Sequence, residues 1–407
     1  MISRARKLGL LTLLYFCQGL PGGFLAVALP VILLRSGADL KTVGFAGLLS
    51  LPWMLKVVWA PLVDRYGHRG FGERKSWLVP AQLGMVLVCL ALAQVDPVAA
   101  LPTVAILFVV LNTFAATQDI AVDGIAVDLL TDAELGPGNS AAVSGFKLGN
   151  LFGGGVLLAA IGWLGWRGDF YVMAGCILIV LTIVLVWREP QRAERPTASI
   201  GAVMRRLWTS LRGLGAAFVV FIVFAKFGET FGGSMVKPML VRHGFSDAMI
   251  ATIDVTAGGV ATIAGAAVAG WVSFRRGWRP VLGVAAAGQG ATLVAMGVSA
   301  YGTMTPLLFL PFSVAENAFG GAVGVAVFAL AMGGRDKAVG ASQFTALQVM
   351  YISGASLAYP LAGVVADAVG YRPVMIAGGL MALALAGLCV SWARRLQRGE
   401  RAALQGT

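Results

Sequence analysis

Long apolar runs, each ended by a short charged or Gly/Pro-rich segment, recur along the whole chain. A helix needs roughly 20 mostly apolar residues to cross the hydrocarbon core of a bilayer. Twelve runs satisfy this length and are called spans one to twelve. The predicted spans are Leu8–Leu34, Val43–Arg65, Trp77–Val95, Leu101–Leu130, Ser140–Leu164, Phe170–Trp187, Leu214–Leu240, Ala248–Val272, Pro280–Ala300, Met304–Met332, Ala341–Val365 and Pro373–Trp392. The pattern predicts an all-α polytopic membrane protein.

Composition and charge agree with this prediction. Of the 407 residues, 58% are hydrophobic and 12% are charged, whereas soluble domains carry about 25% charged residues. Of the 31 Lys and Arg residues, 22 fall in segments on the N-terminal side of the predicted bilayer and 6 on the other. Basic loops stay on the cytoplasmic side, so both termini are predicted to be cytoplasmic. The net charge of +12 is therefore interpreted as a signal of membrane orientation and not of nucleic-acid binding. The four cysteines lie in apolar runs, and no metal site or cofactor is expected.

The two halves of the sequence echo each other. Residues 60–69, between spans two and three, resemble residues 270–279, between spans eight and nine, and a Gly-aromatic-Arg triplet ends both span five and span eleven. Six spans per half preserve orientation, so the repeat is parallel. Two parallel six-helix repeats around a central site describe the major facilitator fold. The expected organisation is a first half at 1–187, a cytoplasmic basic linker at 188–212 and a second half at 213–407.

The first of these loops resembles the superfamily's signature G-x-x-x-D-R-x-G-R, with Ala60 in place of the first glycine. We expect a gating loop in which an acid pairs near a helix end, a glycine makes the turn and two arginines hold the inside face. Its residues are Asp64, Arg65, Gly67 and Arg69. In the second copy Phe274 replaces the acid, so that loop should lack this charge relay.

Ionisable residues inside a span are costly and are functional candidates by default. In the first half, Asp119 and Asp123 are four residues apart and share a helix face. Lys56 and Lys147, on flanking spans, are the predicted counter-ions. The two acids are candidates for proton coupling and the two lysines for solute binding. The alternative is that these charges are structural ion pairs that lock the bundle.

The second half carries the stronger candidates for proton coupling. Lys226 and Glu229 are three apart on span seven and can pair, and glycines beside Glu229 would let the backbone open. Glu316 is followed by Asn317 and has no basic residue within a turn. A buried carboxylate without a partner can exchange a proton near neutral pH. We therefore expect charge-locked gating in the first half and proton coupling mainly through Glu229 or Glu316.

Span one contains Pro21 between glycines, which predicts a broken or bent helix at mid-membrane depth. Unwound backbone is tolerated there only where it lines a cavity, so Gln18 is a candidate solute contact, with packing flexibility as the alternative. The full set of solute-binding candidates is Gln18, Lys56, Gln118, Lys147, Lys226 and Asn317.

Three stretches resemble the hallmarks of one major facilitator branch: residues 56–65, residues 116–124 and residues 225–229. That branch contains AmpG-type muropeptide permeases, acetyl-coenzyme A transporters, and importers of the siderophores rhizobactin and pyochelin. The resemblance implies a secondary active transporter of the bacterial inner membrane, most simply a proton symporter for a large polar or anionic solute. A compact twelve-span chain favours siderophore import. The alternatives are an AmpG-like muropeptide permease or an acyl-coenzyme A transporter, and an exporter of the same fold is less favoured.

Other classes of protein find little support in the sequence. No nucleotide-binding G-x-x-x-x-G-K-[ST] loop, H-E-x-x-H motif or G-x-S-x-G elbow is present, which argues against ATP drive and against a membrane-embedded enzyme. A receptor-like protein that has lost transport is disfavoured by the retained intramembrane charges. The expected partners are a small solute, protons and the lipid bilayer, without nucleic acid, and the chain is expected to be monomeric.

Overall fold

The structure, a computed structural model, describes residues 3–35, 47–97, 99–190, 199–333 and 339–405. These residues are almost entirely helical, and their only β contact is an isolated bridge between His68 and Gly72. The chain divides into two compact units. Unit 1 holds residues 1–130, 144–213 and 335–346, and unit 2 holds residues 131–143, 214–334 and 347–407. The start of span five therefore lies in unit 2, and the start of span eleven lies in unit 1.

The first six spans are helices of very different regularity. Span one is Arg4–Gly23 followed by a π-helical turn, Phe24–Ala28, and by Leu29–Arg35. Span two is assembled from the short pieces Gly47–Ser50, Leu51–Leu55, Lys56–Val58 and Ala60–Arg65. Spans three and four are Lys75–Leu92 and Leu101–Leu129. Span five begins with Leu135–Asn150 and Leu151–Val156. The next helical segment, Leu157–Val186, contains the end of span five and all of span six. The chain changes direction between these two spans at Gly165, whose φ is +65°.

The linker between the halves contains the helix Ile200–Gly213. Span seven is broken into Ala216–Phe224, Phe227–Gly233 and Val236–Arg242. Span eight is Asp247–Ile250, Ala251–Ala257 and Gly258–Arg276, and spans nine to twelve are Trp278–Ser299, Pro306–Gly333, Gly340–Val369 and Tyr371–Gln405. The predicted all-α fold is confirmed, and the helices of the described residues follow the order of the twelve predicted spans.

Within the described residues, nine helices are long and apolar enough to cross a membrane on their own. The difference from twelve has local causes. Spans five and six are counted together as Asp132–Val186, span two is built from short pieces, and span eight, although it contains the 19-residue helix Gly258–Arg276, is not among the nine. The helix at Pro21 is a further correction: Arg4–Gly23 runs through the proline without unwinding, and the irregular turn comes after it.

Glycines allow backbones to touch in corresponding places of both units. In unit 1, a Cβ on Gly149 of span five would lie 2.2 Å from the carbonyl oxygen of Phe16 in span one. In unit 2, a Cβ on Gly354 of span eleven would lie 1.7 Å from the carbonyl oxygen of Val223 in span seven. Small residues drive helix association in membranes because lipid offers no hydrophobic contrast. The two units therefore repeat the same close helix contact as well as the same helix order.

Candidate functional site

The polar centre of unit 1 is built on one face of span four. Asp119 forms a salt bridge with the ammonium group of Lys56, and both side chains are almost fully buried. Lys56 begins the short turn Lys56–Val58, where span two changes its helical winding. The Lys56 ammonium lies 5.5 Å from the ring centre of Trp53, whose indole N–H donates to the Asn112 side chain at 2.9 Å. The pair that the sequence suggested is thus formed, and it is buried.

One turn further along span four, Asp123 accepts a hydrogen bond of 2.5 Å from the Tyr15 hydroxyl of span one. Both residues are buried. Tyr15 was missed by the sequence analysis because a tyrosine in an apolar run carries no charge signal. Two neighbouring acids of one helix therefore have different partners, an ammonium group for Asp119 and a phenol for Asp123. Charge and hydrogen bonding at this face are divided between spans one, two and four.

Amides complete this polar centre. Gln118 donates to the Leu14 carbonyl oxygen at 3.2 Å. Gln18 is fully buried, and neither its amide nitrogen nor its oxygen has a hydrogen-bond partner among the described residues. A buried amide without partners costs free energy unless water or a solute supplies them. Lys147, the other predicted counter-ion, lies half-buried on span five.

The signature loop closes around an arginine that the sequence analysis did not select. Arg74 is fully buried, and its guanidinium donates to Asp64 at 2.7 Å, to Asp128 at 3.3 Å and to the Val63 carbonyl oxygen at 3.2 Å. Burial opposes the charged form of Arg74, but the carboxylates of Asp64 and Asp128 outweigh it and raise its pKa. Gly124 of span four lies against the guanidinium, since a Cβ there would be 2.4 Å from its Nε. Arg74 is the centre of this loop.

The arginines chosen from the sequence occupy outer positions. Arg65 stacks over Tyr66, with its guanidinium carbon 5.2 Å from the ring centre. The Arg69 side chain is 70% exposed and pairs with Glu73 at 3.4 Å. Gly67 makes a close turn, because a Cβ there would lie 2.5 Å from the Glu73 carbonyl oxygen. The expected turn glycine and acid are in place, whereas the buried counter-charge comes from a residue ten positions beyond Asp64.

Asp64 also holds the start of span eleven. Its Oδ2 accepts hydrogen bonds from the Ser342 backbone N–H at 2.7 Å and from the Ser342 hydroxyl at 2.5 Å. Ser342 is the third residue of Gly340–Val369, so a buried carboxylate faces the positive end of that helix. The signature acid thus joins span two, the following loop and span eleven within unit 1.

A second capping arrangement ties span three to the end of span six. The Glu189 carboxylate accepts from the Arg74 N–H at 3.0 Å and from the Lys75 N–H at 2.8 Å. The Lys75 ammonium group in turn donates to the carbonyl oxygens of Leu185 at 3.0 Å and Trp187 at 2.9 Å. Burial raises the pKa of Glu189, although the two backbone N–H groups and the charge of Arg74 act against it. In the sequence alone, Glu189 is simply one residue of a basic linker.

In unit 2, span seven breaks at Ala225–Lys226, just before the predicted proton-coupling residue. Lys226 lies 3.6 Å from the Glu229 carboxylate, with side chains 41% and 23% exposed. The ammonium group lies 5.8 Å from the ring centre of Tyr351 in span eleven. Unlike Lys56, this lysine is accessible while it is paired. Gly228 and Gly232, expected to open the backbone, instead pack against Met381 and Met375 of span twelve.

Glu316 differs from the isolated carboxylate expected from the sequence. It is half-buried and accepts a hydrogen bond from the Gln289 side chain of span nine at 3.2 Å. Asn317 donates to the Ser313 carbonyl oxygen of its own helix at 3.0 Å and accepts from the Thr262 hydroxyl of span eight at 3.3 Å. The absence of a nearby base in sequence did not predict this amide partner.

A cavity of about 340 Å³ connects these features. Its walls are mainly apolar, and Glu229 and Gln289 supply its polar side chains. Gln289 also donates to Glu316, so both candidate proton acceptors of unit 2 border or adjoin one space. The lining residues are Phe224, Ala225, Phe227, Gly228, Glu229, Ala286, Gln289, Val323, Met381, Ala382, Ala384, Leu385 and Leu388.

Asp169 lies in the short segment between the predicted spans five and six, next to the Gly165 turn, and for that reason was not among the intramembrane candidates. It is fully buried, and neither carboxylate oxygen has a hydrogen-bond partner among the described residues. Its neighbour Phe170 packs with Phe24, Phe108 and Trp166 in an aromatic cluster.

Comparison with known proteins agrees with the fold. The sequence model of the family described as Major Facilitator Superfamily matches residues 11–334. The anhydromuropeptide permease of Escherichia coli strain K12 is 29% identical over 91% of this chain and 76% of its own length. A protein of Haemophilus influenzae of uncharacterised function is 28% identical over 97% and 96% of the two chains. The human organic anion transporter MFSD10 has a similar fold, with a TM-score of 0.73 at 15% identity over 96% and 100% of the chains.

Proposed function

We propose, from the premise that the chain belongs to the Major Facilitator Superfamily, that it imports muropeptides across the bacterial inner membrane by proton symport. As a member of that superfamily it is a multi-pass membrane transporter. The solute, the coupling ion and the direction are the proposed part. Support for the solute comes from similarity to an anhydromuropeptide permease over 91% of the chain.

Siderophore import, which chain length favoured, has lost its basis. The match covers 76% of the Escherichia coli permease, so part of that longer relative lies outside the matched region. The similarity nevertheless extends over 91% of this chain. The Haemophilus protein, matched over 96% of its own length, is a compact relative to which no solute is assigned. Chain length alone therefore does not identify the solute, and the muropeptide alternative, which rests on similarity over 91% of the chain, is the better supported one.

The geometry that supports an anionic peptide-containing solute is the accessible Lys226–Glu229 pair. Lys56 is almost fully buried and neutralised by Asp119, whereas the Lys226 side chain is 41% exposed. A lysine acts as a point positive charge for a carboxylate. In our proposal, protonation of Glu229 frees Lys226 to bind a solute carboxylate, and loss of the proton restores the pair and releases the solute. Gln289 and Glu316 provide a second proton-accepting position beside the same cavity.

The polar centre of unit 1 is assigned a gating role in this proposal. Its Lys56–Asp119 charges are paired and buried, which suits a lock more than an exchanging site. Asp119 and Asp123 keep a secondary place as proton-coupling candidates, and Gln18 and Gln118 as solute contacts. Asp64 with Arg74 would hold span eleven in one state of the transport cycle, as the hydrogen bonds to Ser342 suggest.

Uptake into proteoliposomes tests the solute. Purified protein is supplied in turn with labelled anhydromuropeptide, ferric siderophore and acetyl-coenzyme A under an inward proton gradient. We expect accumulation of the muropeptide alone, and a large loss for Lys226→Gln. The matched control is Lys237→Gln, an exposed lysine on the same span, which should keep wild-type uptake. Accumulation of either other solute without the muropeptide would overturn the assignment.

A further inference from the structure

The helix Ile200–Gly213, here called the linker helix, has an apolar surface wider than unit 1 covers. Val203, Leu207 and Leu211 are spaced four residues apart and are buried. The linker helix packs against Ala60–Arg65, the piece of span two that carries Asp64. This stripe accounts for its attachment to the unit.

A second apolar stripe runs beside the first and faces away from the protein. Ile200, Met204 and Trp208 are also four residues apart, and they are 36%, 47% and 57% exposed. At about 100° per residue the two stripes are adjacent and form one continuous apolar arc. Soluble proteins seldom leave such an arc half covered, whereas a helix in the membrane interface buries it among lipids.

Exposed arginines border the uncovered stripe. Arg205 and Arg212 lie on the side of the linker helix just beyond Trp208, and both are exposed. The Arg212 guanidinium lies 4.8 Å from the ring centre of Trp208. An indole with an arginine over it suits the level of the lipid headgroups, where the ring meets apolar chains and the cation meets phosphate.

The position of the linker helix in the chain brings it to the bilayer surface. Only two residues separate Gly213 from the first residue of span seven, Ala216. Gly215 has a φ of +83° and makes the turn between them. A helix connected so closely to a spanning helix has little freedom to leave the membrane interface.

The same side-chain pair occurs at the end of a helix that spans the membrane. In span eight, Trp271 is 58% exposed and the Arg275 guanidinium lies 4.7 Å from its ring centre. The i, i+4 spacing equals that of Trp208 and Arg212. Because span eight ends at Arg276, its pair lies where that helix leaves the hydrocarbon. This supports an interfacial position for the pair on the linker helix.

We propose that the linker helix is a binding site for anionic phospholipid headgroups. Met204 and Trp208 enter the boundary between headgroups and acyl chains, and Arg205 and Arg212 bind the phosphates. The adjacent buried stripe rests on Ala60–Arg65, so bound lipid holds the piece of span two that carries Asp64. Anionic lipid thereby stabilises the arrangement of Asp64 with Arg74 and Ser342.

The first test measures thermal unfolding of the full chain in nanodiscs. We expect a higher midpoint in discs that contain phosphatidylglycerol than in discs of phosphatidylcholine alone, and a smaller difference at high salt. The double variant R205Q/R212Q should lose most of this shift. Arg242→Gln is the control, because Arg242 is also exposed and its guanidinium lies 5.5 Å from the ring centre of Tyr371. This variant should keep the shift. Free glycerol phosphate should produce none.

The second test reports insertion even where the double variant fails to fold. A fluorophore is attached at Met204→Cys or, on the opposite face, at Thr209→Cys, and wild-type protein treated in the same way supplies the background. Lipids with a nitroxide near the headgroup should quench the label at 204 several-fold more than the label at 209. Equal quenching at both positions, or a wild-type midpoint indifferent to phosphatidylglycerol, would overturn the proposal.

Discussion

The Asp64 carboxylate accepts two hydrogen bonds from Ser342, a residue 278 positions away in the sequence. The same carboxylate receives the Arg74 guanidinium at 2.7 Å. One buried acid therefore neutralises an arginine and caps the first turn of Gly340–Val369. Removing the charge would leave the buried Arg74 guanidinium with Asp128 as its remaining ion-pair partner and would give the helix start a weaker, uncharged acceptor.

Asp64→Asn should accordingly destabilise the protein strongly. Breaking a buried ion pair by removing one partner costs about 3–5 kcal/mol. Ser342→Ala removes only the hydroxyl hydrogen bond to a charged acceptor, worth about 1.5–3 kcal/mol, and leaves the backbone N–H in place. Unfolding in detergent micelles measures both. Arg69→Gln, which removes a mostly exposed ion pair, is the control and should change stability little. Equal stability of Asp64→Asn and Arg69→Gln would contradict this account of the loop.

The Lys56–Asp119 pair should behave as a coupled unit. Lys56→Gln or Asp119→Asn alone leaves a buried, uncompensated charge and should cost about 3–5 kcal/mol of unfolding free energy. The double variant K56Q/D119N places two neutral amides side by side and should cost clearly less than the sum of the single changes. A double-mutant cycle on the unfolding free energy measures the coupling. Strictly additive effects would mean that the two side chains do not interact in the folded protein.

Glu189 should give part of the protein's stability a pH dependence of defined sign. Burial raises its pKa above the ordinary value of 4.5 despite the N–H groups of Arg74 and Lys75, while the charge of Asp128 adds to the rise. The folded state then binds the proton more tightly than the unfolded state, so this contribution strengthens as pH falls toward 4.5 and weakens as pH rises through the raised pKa.

Thermal unfolding of wild type and Glu189→Gln between pH 4.5 and neutrality isolates this effect. The difference in stability between the two proteins should change across the window, because glutamine does not titrate. Other carboxylates contribute equally to both proteins and cancel. A difference that stays constant with pH would show that the Glu189 proton is not linked to folding.

Gly149 and Gly162, both in span five, offer a matched test of close helix packing. A Cβ at Gly149 would meet the Phe16 carbonyl oxygen at 2.2 Å, and Gly149→Ala should push spans one and five apart at a cost of about 1–3 kcal/mol or more. A Cβ at Gly162 meets nothing within 4 Å, so Gly162→Ala should be neutral or slightly stabilising, since alanine favours helix. Similar losses at both positions would argue against the backbone contact.

Some of this architecture could be predicted from the sequence because it depends on local length and charge. Apolar length predicted twelve spans, and the helices of the described residues follow their order even where span two is assembled from short helical pieces. Because a charge in a low-dielectric interior needs an opposite charge beside it, Lys56 was the natural partner of Asp119. Helical spacing made Lys226 a partner of Glu229. In each case the cost of an unpaired charge in lipid limits the possible partners to very few.

The remainder depended on tertiary contacts that leave no pattern in the chain. Which arginine of the signature loop turns inward depends on the loop path, including the Gly72 turn with φ of +113°. Tyr15 and Gln289 are neutral partners of Asp123 and Glu316, and neutral hydrogen-bonding residues are too common in spans to be singled out. Glu189 lies in a stretch where arginines dominate, and its capping role appears only once span six has been placed beside span three.

The central proposal is that Glu229 and Glu316 couple solute movement to protons. The most direct measurement is muropeptide uptake into proteoliposomes driven by an imposed pH gradient, compared among wild type, Glu229→Gln, Glu316→Gln and the double variant. Exchange of labelled for unlabelled muropeptide without a gradient serves as the control for folding and binding. We predict that at least one single variant and the double variant lose gradient-driven accumulation while retaining exchange. Full proton-driven accumulation by the double variant would contradict the proposal.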